Sequence, residues 1–365
     1  MVLAGGGSGG HIAPGLAIAE RLAQIEPNIR CVFACSERPI DLSMLDAAGA
    51  KSKPIPARPF SVRPAGLWSF VRSVLPARAA CDALVKSEQP DWIVSLGGFV
   101  SAPVAAAARR AGARVLLVNL DAVAGRANRW ISRRADVVVS AVPAKGLAVQ
   151  PQSIVGVPLR RSTRPVSDQA SSRAAFGLAP DAPTLFVTGA SQGAASVNRF
   201  MAAFAASPDK PLRGWQVLHQ CGPRGDDVGL LESAYRDAGV RAVVVPFVDR
   251  MGHAWGAADA TLARAGANLV WEVRQACVPA VFSPYPWHKD LHQEANAREL
   301  VDAGGAIIAY DRLEPALNMD SIGGPMREVL AHPARRKAMK HALESLPKID
   351  AADRIAAWLV GRCGW

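Results

Sequence analysis

A glycine-rich run followed by a histidine is the first feature of this chain that could do chemistry. Residues Gly5-Gly6-Gly7-Ser8-Gly9-Gly10 satisfy the pattern G-x-G-x-x-G, and His11 follows directly. Backbone N–H groups in such a loop can bind a phosphate or another anion where a helix begins, and we expect this helix to begin near Pro14. An imidazole with a pKa of about 6.5 is largely neutral at pH 7 and can accept a proton. The sequence therefore predicts an anion-binding loop with His11 as a general base.

A dinucleotide-binding loop is the alternative interpretation of the same glycines. Such a loop requires an acidic residue about 20 positions later, at the end of the second strand. Glu37 is the nearest candidate, and it comes late for that role. A lone histidine is also more often structural than catalytic. The loop by itself therefore does not decide between a dinucleotide-binding loop and an anion-binding loop with a catalytic histidine.

Polar residues in the second half of the chain suit a nucleotide-sugar. Gly266 and Ala267 open a predicted helix whose first N–H groups could hold a diphosphate, and Glu272 lies about one and a half turns further on. A carboxylate there can accept hydrogen bonds from both hydroxyls of a ribose, although a surface acid is the alternative. A later predicted helix places Lys289, His292, Gln293 and Asn296 on one face. The last three are neutral hydrogen-bonding side chains, which suit sugar hydroxyls.

The elements that position these residues follow a regular alternation of β-type runs and helical patterns, which is typical of parallel βαβ units. In the first half the predicted strands are residues 2–4, 31–34, 92–95, 115–119 and 137–140. In the second half they are residues 184–188, 215–219, 242–245, 260–263, 280–283 and 306–309. The 365 residues are enough for two domains of about 150 residues each, with a hinge near Pro158 to Pro165. The predicted fold class is therefore α/β, with two doubly wound Rossmann-like domains.

Composition limits the classes of protein that this chain can be. Hydrophobic residues make up 50% and charged residues 20%, which is globular and not disordered. No apolar run reaches the 18 or so residues of a membrane span, and the first residues do not resemble a secretory signal, so we expect a cytoplasmic location. The six cysteines form no Cys-x-x-Cys pair, which argues against a zinc site or a disulfide framework. The net charge of +11 favours an anionic partner, although a basic solvated surface explains it equally well.

Several motifs resemble one family of bacterial enzymes, the MurG-type glycosyltransferases that add N-acetylglucosamine to lipid I in peptidoglycan synthesis. The run from Gly6 to Ala17 is similar to the first glycine loop of that family. Further matches follow in the same order along the chain. Residues 97–103 are similar to the second glycine loop of the family, and residues 189–194 are similar to the third. The donor-binding segments of the family are matched by residues 264–267, Glu272 and residues 288–297. The similarity extends from residue 4 to about residue 310.

The resemblance implies the glycosyltransferase-B architecture, in which two domains face a cleft. Residues 1–158 would bind the acceptor, residues 159–348 would bind a UDP-sugar, and a C-terminal helix within 349–365 would pack back on the first domain. Implied donor contacts are Arg160, Ser191, Gln192, Gly193, Val248, Arg264, Gly266, Ala267, Glu272, His292, Gln293 and Asn296. Implied acceptor contacts are Ser8, Gly9, Gly10, Gly98, Phe99 and Asn128. Helix N-termini near Ser191 and Gly266, with Arg160 and Arg264, would stabilise the leaving diphosphate.

The same resemblance implies partners and a location. These are a nucleotide-sugar donor, a lipid-linked acceptor and the inner face of the cell membrane, where the protein would bind peripherally; no nucleic acid is expected. A nucleoside diphosphate leaves as a stable anion, so one base suffices, and we predict no cofactor and no protein-held metal.

The segment after the fourth predicted strand departs from the family. Where the family has His-Glu-Gln-Asn, this chain has Val118-Asn119-Leu120-Asp121. Other inverting enzymes of this architecture pair a loop histidine with an aspartate beyond a later strand, and we predict that Asp121 orients His11 in that way. The alternative is that Asp121 only caps a helix. At the donor site, His292 replaces a glutamine of the family, which leaves a different sugar possible.

An apolar stripe with helical spacing lies between residues 67 and 75. Its members are Leu67, Phe70, Val71, Val74 and Leu75, flanked by Trp68, Arg63, Arg72 and Arg78. Such a stripe is more often a face packed on the core, and the alternative is a patch in the bilayer interface.

Three functions are consistent with these residues. The first is an inverting transfer of N-acetylglucosamine or a related sugar from a UDP-sugar to a lipid I-like acceptor, with a different sugar or acceptor as a variant of it. The second is a UDP-sugar 2-epimerase, and the third is a non-catalytic nucleotide-sugar binder.

Overall fold

A computed structural model describes residues 1–7, 9–166, 168–223, 225, 227–287 and 291–365. They form two compact units. Unit 1 comprises Met1–Arg160 and Ile349–Trp365, and unit 2 comprises Arg161–Lys348.

Unit 1 is built on a parallel sheet with the strand order β3-β2-β1-β4-β5-β6-β7. Its strands are β1 Val2–Ala4, β2 Val32–Ser36, β3 Ser52–Ile55, β4 Trp92–Ser95, β5 Arg114–Asn119, β6 Val137–Ser140 and β7 Ser153–Ile154. Its first helices are α1 Gly9–Ile25, α2 Pro39–Ala47, α3 Pro64–Glu88, α4 Ser101–Arg110 and α5 Arg126–Ile131. The inner strands are buried on both faces, as parallel strands covered by helices must be, and this is why they read as continuous apolar runs.

Unit 2 repeats this plan with the strand order β10-β9-β8-β11-β12-β13. Its strands are β8 Thr184–Thr188, β9 Gln216–Gln220, β10 Ala242–Val245, β11 Ala260–Ala263, β12 Ala280–Phe282 and β13 Ala306–Ile308. Its helices are α6 Gln169–Ala174, α7 Ala195–Ala205, α8 Val228–Asp237, α9 Met251–Ala257, α10 Ala267–Ala276, α11 His292–Asp302, α12 Pro315–Ser321, α13 Gly323–Ala331 and α14 Pro333–Glu344. The predicted fold class of two doubly wound α/β domains is confirmed.

Helices cover both faces of the sheet in unit 2. Phe186 of β8 packs against Trp255 of α9, with ring centroids 5.0 Å apart. Its neighbour Val187 points to the other face and belongs to the cluster that contains Phe200 and Phe204 of α7. The alternation of side chains along a strand thus supplies two hydrophobic layers.

The last helix, α15 Ala351–Leu359, packs on α1 within unit 1. The Arg21 side chain is 1% exposed, and its Nε lies 2.6 Å from Asp353 Oδ1. Trp358 meets Trp92 edge to face at 5.1 Å. An ion pair between buried Arg21 and half-exposed Asp353, together with an aromatic pair, therefore fixes the C-terminal segment to the first helix and to β4.

Two local expectations were wrong. Helix α1 begins at Gly9, about one and a half turns before the predicted start near Pro14. Glycines can adopt helical dihedral angles, and Pro14 is accommodated inside the helix instead of opening it. In α3, the apolar stripe does not face the core: Trp68 is 64% exposed and Leu75 is 74% exposed. No helix among the described residues is both long and apolar enough to span a bilayer.

Candidate functional site

His11 lies in the first turn of α1, directly after β1 and its glycine loop. The ring is half-buried, and it lies against the second glycine loop, at the carboxyl end of β4. A Cβ at Gly97 would be 3.2 Å from His11 Cδ2, so this position leaves little room for a side chain. Gly97 also has a φ of +95°, which disfavours any other residue. The imidazole is therefore held at the edge of the sheet where parallel strands end and where open α/β sheets bind ligands.

Two carboxylates act on the His11 ring. Burial lowers the pKa of His11 from its ordinary value, and the negative charges of Asp121 and then Asp41 oppose that shift in part. Burial dominates, so His11 is neutral at pH 7 and can accept a proton. The same carboxylates stabilise the imidazolium that forms once the proton is taken. This is the electrostatic arrangement that the predicted pair of His11 and Asp121 requires.

A buried amide network positions Asp121. Asn119, the last residue of β5, donates from Nδ2 to the Asp121 carbonyl at 2.7 Å and to Ser140 Oγ at 2.9 Å. Asn119 Oδ1 accepts from Asn128 Nδ2 at 2.9 Å. Asn119 is fully buried, and each of its polar atoms has a partner. The network thereby fixes the backbone that carries Asp121, and the sequence analysis missed the role of Asn119.

Asp41 is a second residue that sequence reasoning missed. It lies in the first turn of α2 and is fully buried, and its Oδ2 accepts from Gly7 N–H at 2.6 Å and from Ser36 Oγ at 2.6 Å. It therefore holds the first glycine loop as well as acting on His11. A single acid at the start of the helix after the second strand was the signal available in the sequence.

The predicted acceptor contacts of unit 1 gather around these residues, except Ser8, which lies outside the described residues. Gly9 and Gly10 form the first turn of α1. Gly98 is so close to the first loop that a Cβ there would be 2.3 Å from Gly6 O, and Phe99 packs against Gly7. Asn128 is 7% exposed and serves the amide network, so its side chain offers little surface to a ligand.

In unit 2 the predicted donor residues follow the carboxyl ends of neighbouring parallel strands. Ser191, Gln192 and Gly193 lie in the loop between β8 and α7, and Gln192 is exposed. Gly266 is the residue before the first turn of α10, which Ala267 opens, as predicted from the sequence. Strands β8 and β11 pair directly, so the two helix starts lie at one edge of the sheet.

Glu272 occupies a secluded position on α10. Its Oε2 accepts from Trp255 Nε1 at 2.9 Å. Burial raises the pKa of Glu272 to about 7, and the Trp255 hydrogen bond opposes that rise. The side chain is therefore not the simple surface acid that was the alternative, and a ligand with hydroxyl donors would stabilise its ionised form.

Two predicted cations have other partners. Arg264 is 7% exposed; its Nη2 lies 2.8 Å from Asp311 Oδ2, and its Nη1 donates to the carbonyls of Ser283 and Pro284. Arg160 belongs to unit 1, where its Nε lies 2.7 Å from Glu20 Oε1. Each guanidinium group thus has a carboxylate partner within its own unit, and stabilisation of the diphosphate by these two groups stays a prediction.

The predicted donor contact Val248 lies in the loop between β10 and α9. Its side chain is 2% exposed and packs in the core with Trp255 and Val270. A contact with the donor could come only from the Val248 backbone. The sequence could not distinguish a core side chain from a ligand contact at this position, because an apolar residue in a loop is compatible with both.

The three predicted sugar residues on α11 have different surroundings. Gln293 lines a cavity of about 330 Å³ together with Tyr285, Tyr310 and Arg312, and its Oε1 accepts from Tyr285 N–H at 2.8 Å. The residues lining that cavity do not include His292, which is the first residue of α11. Asn296 is 4% exposed and lies on the inner side of the helix. Lys289, predicted on the same face, lies outside the described residues.

No group of three or more histidine, cysteine, aspartate or glutamate side chains with metal-binding geometry occurs in the part of the chain that the structure describes.

Family models and sequence relatives agree on one family. The glycosyltransferase family 28 N-terminal domain matches residues 1–140, and the glycosyltransferase family 28 C-terminal domain matches residues 184–355. A relative from Nocardioides sp., named UDP-N-acetylglucosamine–N-acetylmuramyl-(pentapeptide) pyrophosphoryl-undecaprenol N-acetylglucosamine transferase, is 36% identical over 98% of this chain and 96% of its own. The protein of the same name from Mycobacterium tuberculosis is 35% identical over 98% of this chain and 87% of its own. The crystal structure of Acinetobacter baumannii MurG is 26% identical, covers 99% of this chain and 98% of its own, and superposes with a TM-score of 0.72.

Proposed function

The chain belongs to glycosyltransferase family 28, and on that premise we propose that it transfers N-acetylglucosamine from UDP-N-acetylglucosamine to the pyrophosphoryl-undecaprenol-linked N-acetylmuramyl-pentapeptide. The observation that carries the proposal is the 36% identity to a transferase of that name over 98% of this chain. The neutral histidine at the strand ends of unit 1 agrees with it. The same identity favours transfer over epimerisation and over binding without catalysis.

The proposed reaction needs one base. The acceptor hydroxyl attacks the anomeric carbon of the donor, its proton passes to the His11 ring, and the bond from that carbon to the diphosphate oxygen breaks. UDP leaves with the electron pair, and attack opposite the leaving group inverts the anomeric centre. Asp121 and Asp41 stabilise the imidazolium as it forms.

The donor would be held by unit 2. Ser191 and Gln192 in the loop before α7, and Gly266 and Ala267 at the start of α10, offer backbone N–H groups to the two phosphates. Glu272 accepts hydrogen bonds from the ribose. These groups carry the electrostatic stabilisation of the leaving diphosphate, since Arg264 and Arg160 are already paired.

The reaction as proposed needs no protein-held metal or other cofactor. A nucleoside diphosphate is a stable anion and leaves without an added acid. We expect turnover in excess EDTA to equal turnover with added magnesium, and a loss of activity that magnesium restores would contradict this part of the proposal.

The exposed stripe on α3 supports binding to the inner face of the cell membrane. Leu67, Trp68, Val71 and Leu75 are between 41% and 74% exposed, and Arg72 lies over the Trp68 ring at 6.0 Å. Apolar side chains beside cations suit a bilayer interface, where each cation adds about 1 kcal/mol of attraction to anionic lipid. The acceptor named for the relatives is attached to undecaprenol, so a surface that meets lipid would bring the enzyme to its substrate.

A sedimentation assay with anionic vesicles tests the membrane surface. The pair Trp68→Asp and Arg72→Glu should abolish binding that the wild type shows. The matched control is Leu230→Asp with Arg236→Glu on α8, which makes the same change in net charge and also replaces an exposed apolar side chain. Equal binding by the α3 variant and the wild type would overturn the membrane proposal.

The transfer itself is tested by following UDP release and sugar transfer with a lipid-linked N-acetylmuramyl-pentapeptide. We expect a labelled disaccharide product only when donor and acceptor are both present. Incubation with UDP-N-acetylglucosamine alone should give slow hydrolysis at most, whereas conversion to a 2-epimer without acceptor would contradict the proposal. Tight UDP binding without turnover would contradict it as well.

A further inference from the structure

Ala190, in the loop between β8 and α7, has an unusual backbone conformation. Its φ is +60°, in the left-handed region that residues with a Cβ rarely occupy. It directly precedes the loop Ser191–Gly193, to which the proposed function assigns the phosphates of the donor. Such a conformation persists only where neighbouring groups hold it.

Both ends of the Ala190 backbone are held by side chains of the sheet. Its N–H donates to Thr188 Oγ1 at 3.1 Å, and its carbonyl accepts from Gln220 Nε2 at 2.9 Å. The same carbonyl accepts from Gly193 N–H at 3.0 Å, which closes the loop as a turn. Thr188 and Gln220 are the last residues of the paired strands β8 and β9, and both are buried.

The residues at the end of β9 also pack directly against this loop. A Cβ at Gly193 would be 2.4 Å from the carbonyl oxygen of Cys221, the residue after Gln220. That carbonyl is fixed in turn by Asn198 Nδ2 of α7 at 2.8 Å. The loop Ser191–Gly193 therefore packs on the carboxyl end of β9. Among the described residues, the only side chain that donates to the Ala190 carbonyl is Gln220, the last residue of that strand.

We propose that Gln220 is a positioning residue for the donor: its amide holds the Ala190 peptide in the left-handed conformation and thereby directs the N–H groups of Ser191 and Gln192 toward the diphosphate. This inference rests on the proposed function, because the loop must bind a nucleotide-sugar for its position to matter. Gln220 does not touch the donor in this arrangement and acts through Ala190. Thr188 assists from the other side of the same peptide.

The first experiment measures UDP affinity by calorimetry on the full-length protein. Gln220→Met keeps the shape of the side chain and removes the hydrogen bond, so we expect the Kd for UDP to rise about three- to tenfold. Thr188→Val, which removes the hydroxyl with little change in shape, should raise the Kd in the same direction. The matched control is Gln216→Met: Gln216 is an equally buried glutamine of β9, but it bonds to Ala179, Ala182 and Thr184 at the opposite end of the strand. It should lower the melting temperature and leave the Kd for UDP unchanged.

A second substitution separates positioning from loss of stability. Glycine adopts positive φ without strain, so Ala190→Gly in the Gln220→Met background should return the Kd for UDP to within about twofold of the wild type. The same substitution in the Gln216→Met background should leave the Kd unchanged. A merely structural role of Gln220 predicts no such specific recovery.

The outcomes are distinguishable. Wild-type protein that binds no UDP would contradict the proposed function and with it this inference. Wild-type protein that binds UDP, with equal binding by the folded Gln220→Met variant, would overturn the inference alone. Failure of Ala190→Gly to restore binding would also overturn it.

Discussion

Replacing Asp121 by asparagine removes one negative charge near His11 and keeps the size of the side chain. In the wild type, burial lowers the pKa of His11, and Asp121 and Asp41 oppose that effect. Without the Asp121 charge, burial is opposed by Asp41 alone, so the pKa of His11 falls further. The base becomes weaker, and the imidazolium formed during transfer loses its larger source of stabilisation.

The expected loss of rate follows from the type of interaction. Interactions with a charged partner contribute about 1.5–3 kcal/mol, and 1.4 kcal/mol corresponds to a factor of ten. His11 is half-buried, so the charge effect is not fully screened. Asp121→Asn should therefore lower kcat about 10- to 150-fold. The amide network should still hold the backbone at residue 121, because Asn119 donates to the carbonyl there and the substitution leaves that carbonyl in place.

The assay is the pH dependence of kcat/KM with UDP-N-acetylglucosamine and a lipid-linked acceptor. In Asp121→Asn the acidic limb should move to lower pH, because deprotonated His11 is the active form and its pKa has fallen. Asp91→Asn serves as control, since Asp91 is an exposed carboxylate at the amino end of β4, the opposite edge of the same sheet. Full activity of Asp121→Asn, or a limb that moves to higher pH, would refute the pairing of His11 with Asp121.

Three further substitutions test other parts of the structure. Glu272→Gln should remove a pH dependence of stability, because the pKa of Glu272 is raised to about 7 in the folded protein. As the pH rises from 4.5 to 7, the wild type should lose up to about 3 kcal/mol of unfolding free energy relative to the variant, measured by urea titration. Arg264→Met should cost about 3–5 kcal/mol in the same titrations, because it leaves the Asp311 carboxylate buried without its partner; an equally stable variant with weakened UDP binding would instead assign Arg264 to the donor. Asp353→Asn should lower the melting temperature by removing a carboxylate from buried Arg21, at a cost of about 1–2 kcal/mol, and an unchanged melting curve would show that this pair does not fix the C-terminal helix.

The central strands were predictable because strands buried on both faces consist almost entirely of apolar residues. Strands such as β5 and β6 are apolar runs rich in valine, and their predicted positions match the structure within one residue. The edge strand β3 was missed because it contains Lys53 and Pro54. Charge and proline are tolerated at an edge, and they hide the strand pattern there.

The site was predictable where chemistry is local and not where it depends on partners distant in sequence. His11 was found because glycines surround it. The pairing of Arg264 with Asp311 joins residues 47 positions apart, and nothing in the spacing indicates it. The stripe on α3 shows a different limit: an apolar face with helical periodicity looks the same whether it meets the core or remains exposed.

The central claim is that His11 takes the proton of the acceptor hydroxyl, and kcat of His11→Ala at saturating donor and acceptor tests it most directly. The account predicts a fall of about 10²–10⁴-fold, because general-base catalysis contributes that much. The Kd for UDP should be unchanged, because His11 lies in unit 1 and the proposed function assigns the nucleotide to unit 2. A variant that retains wild-type kcat while binding UDP normally would contradict the account.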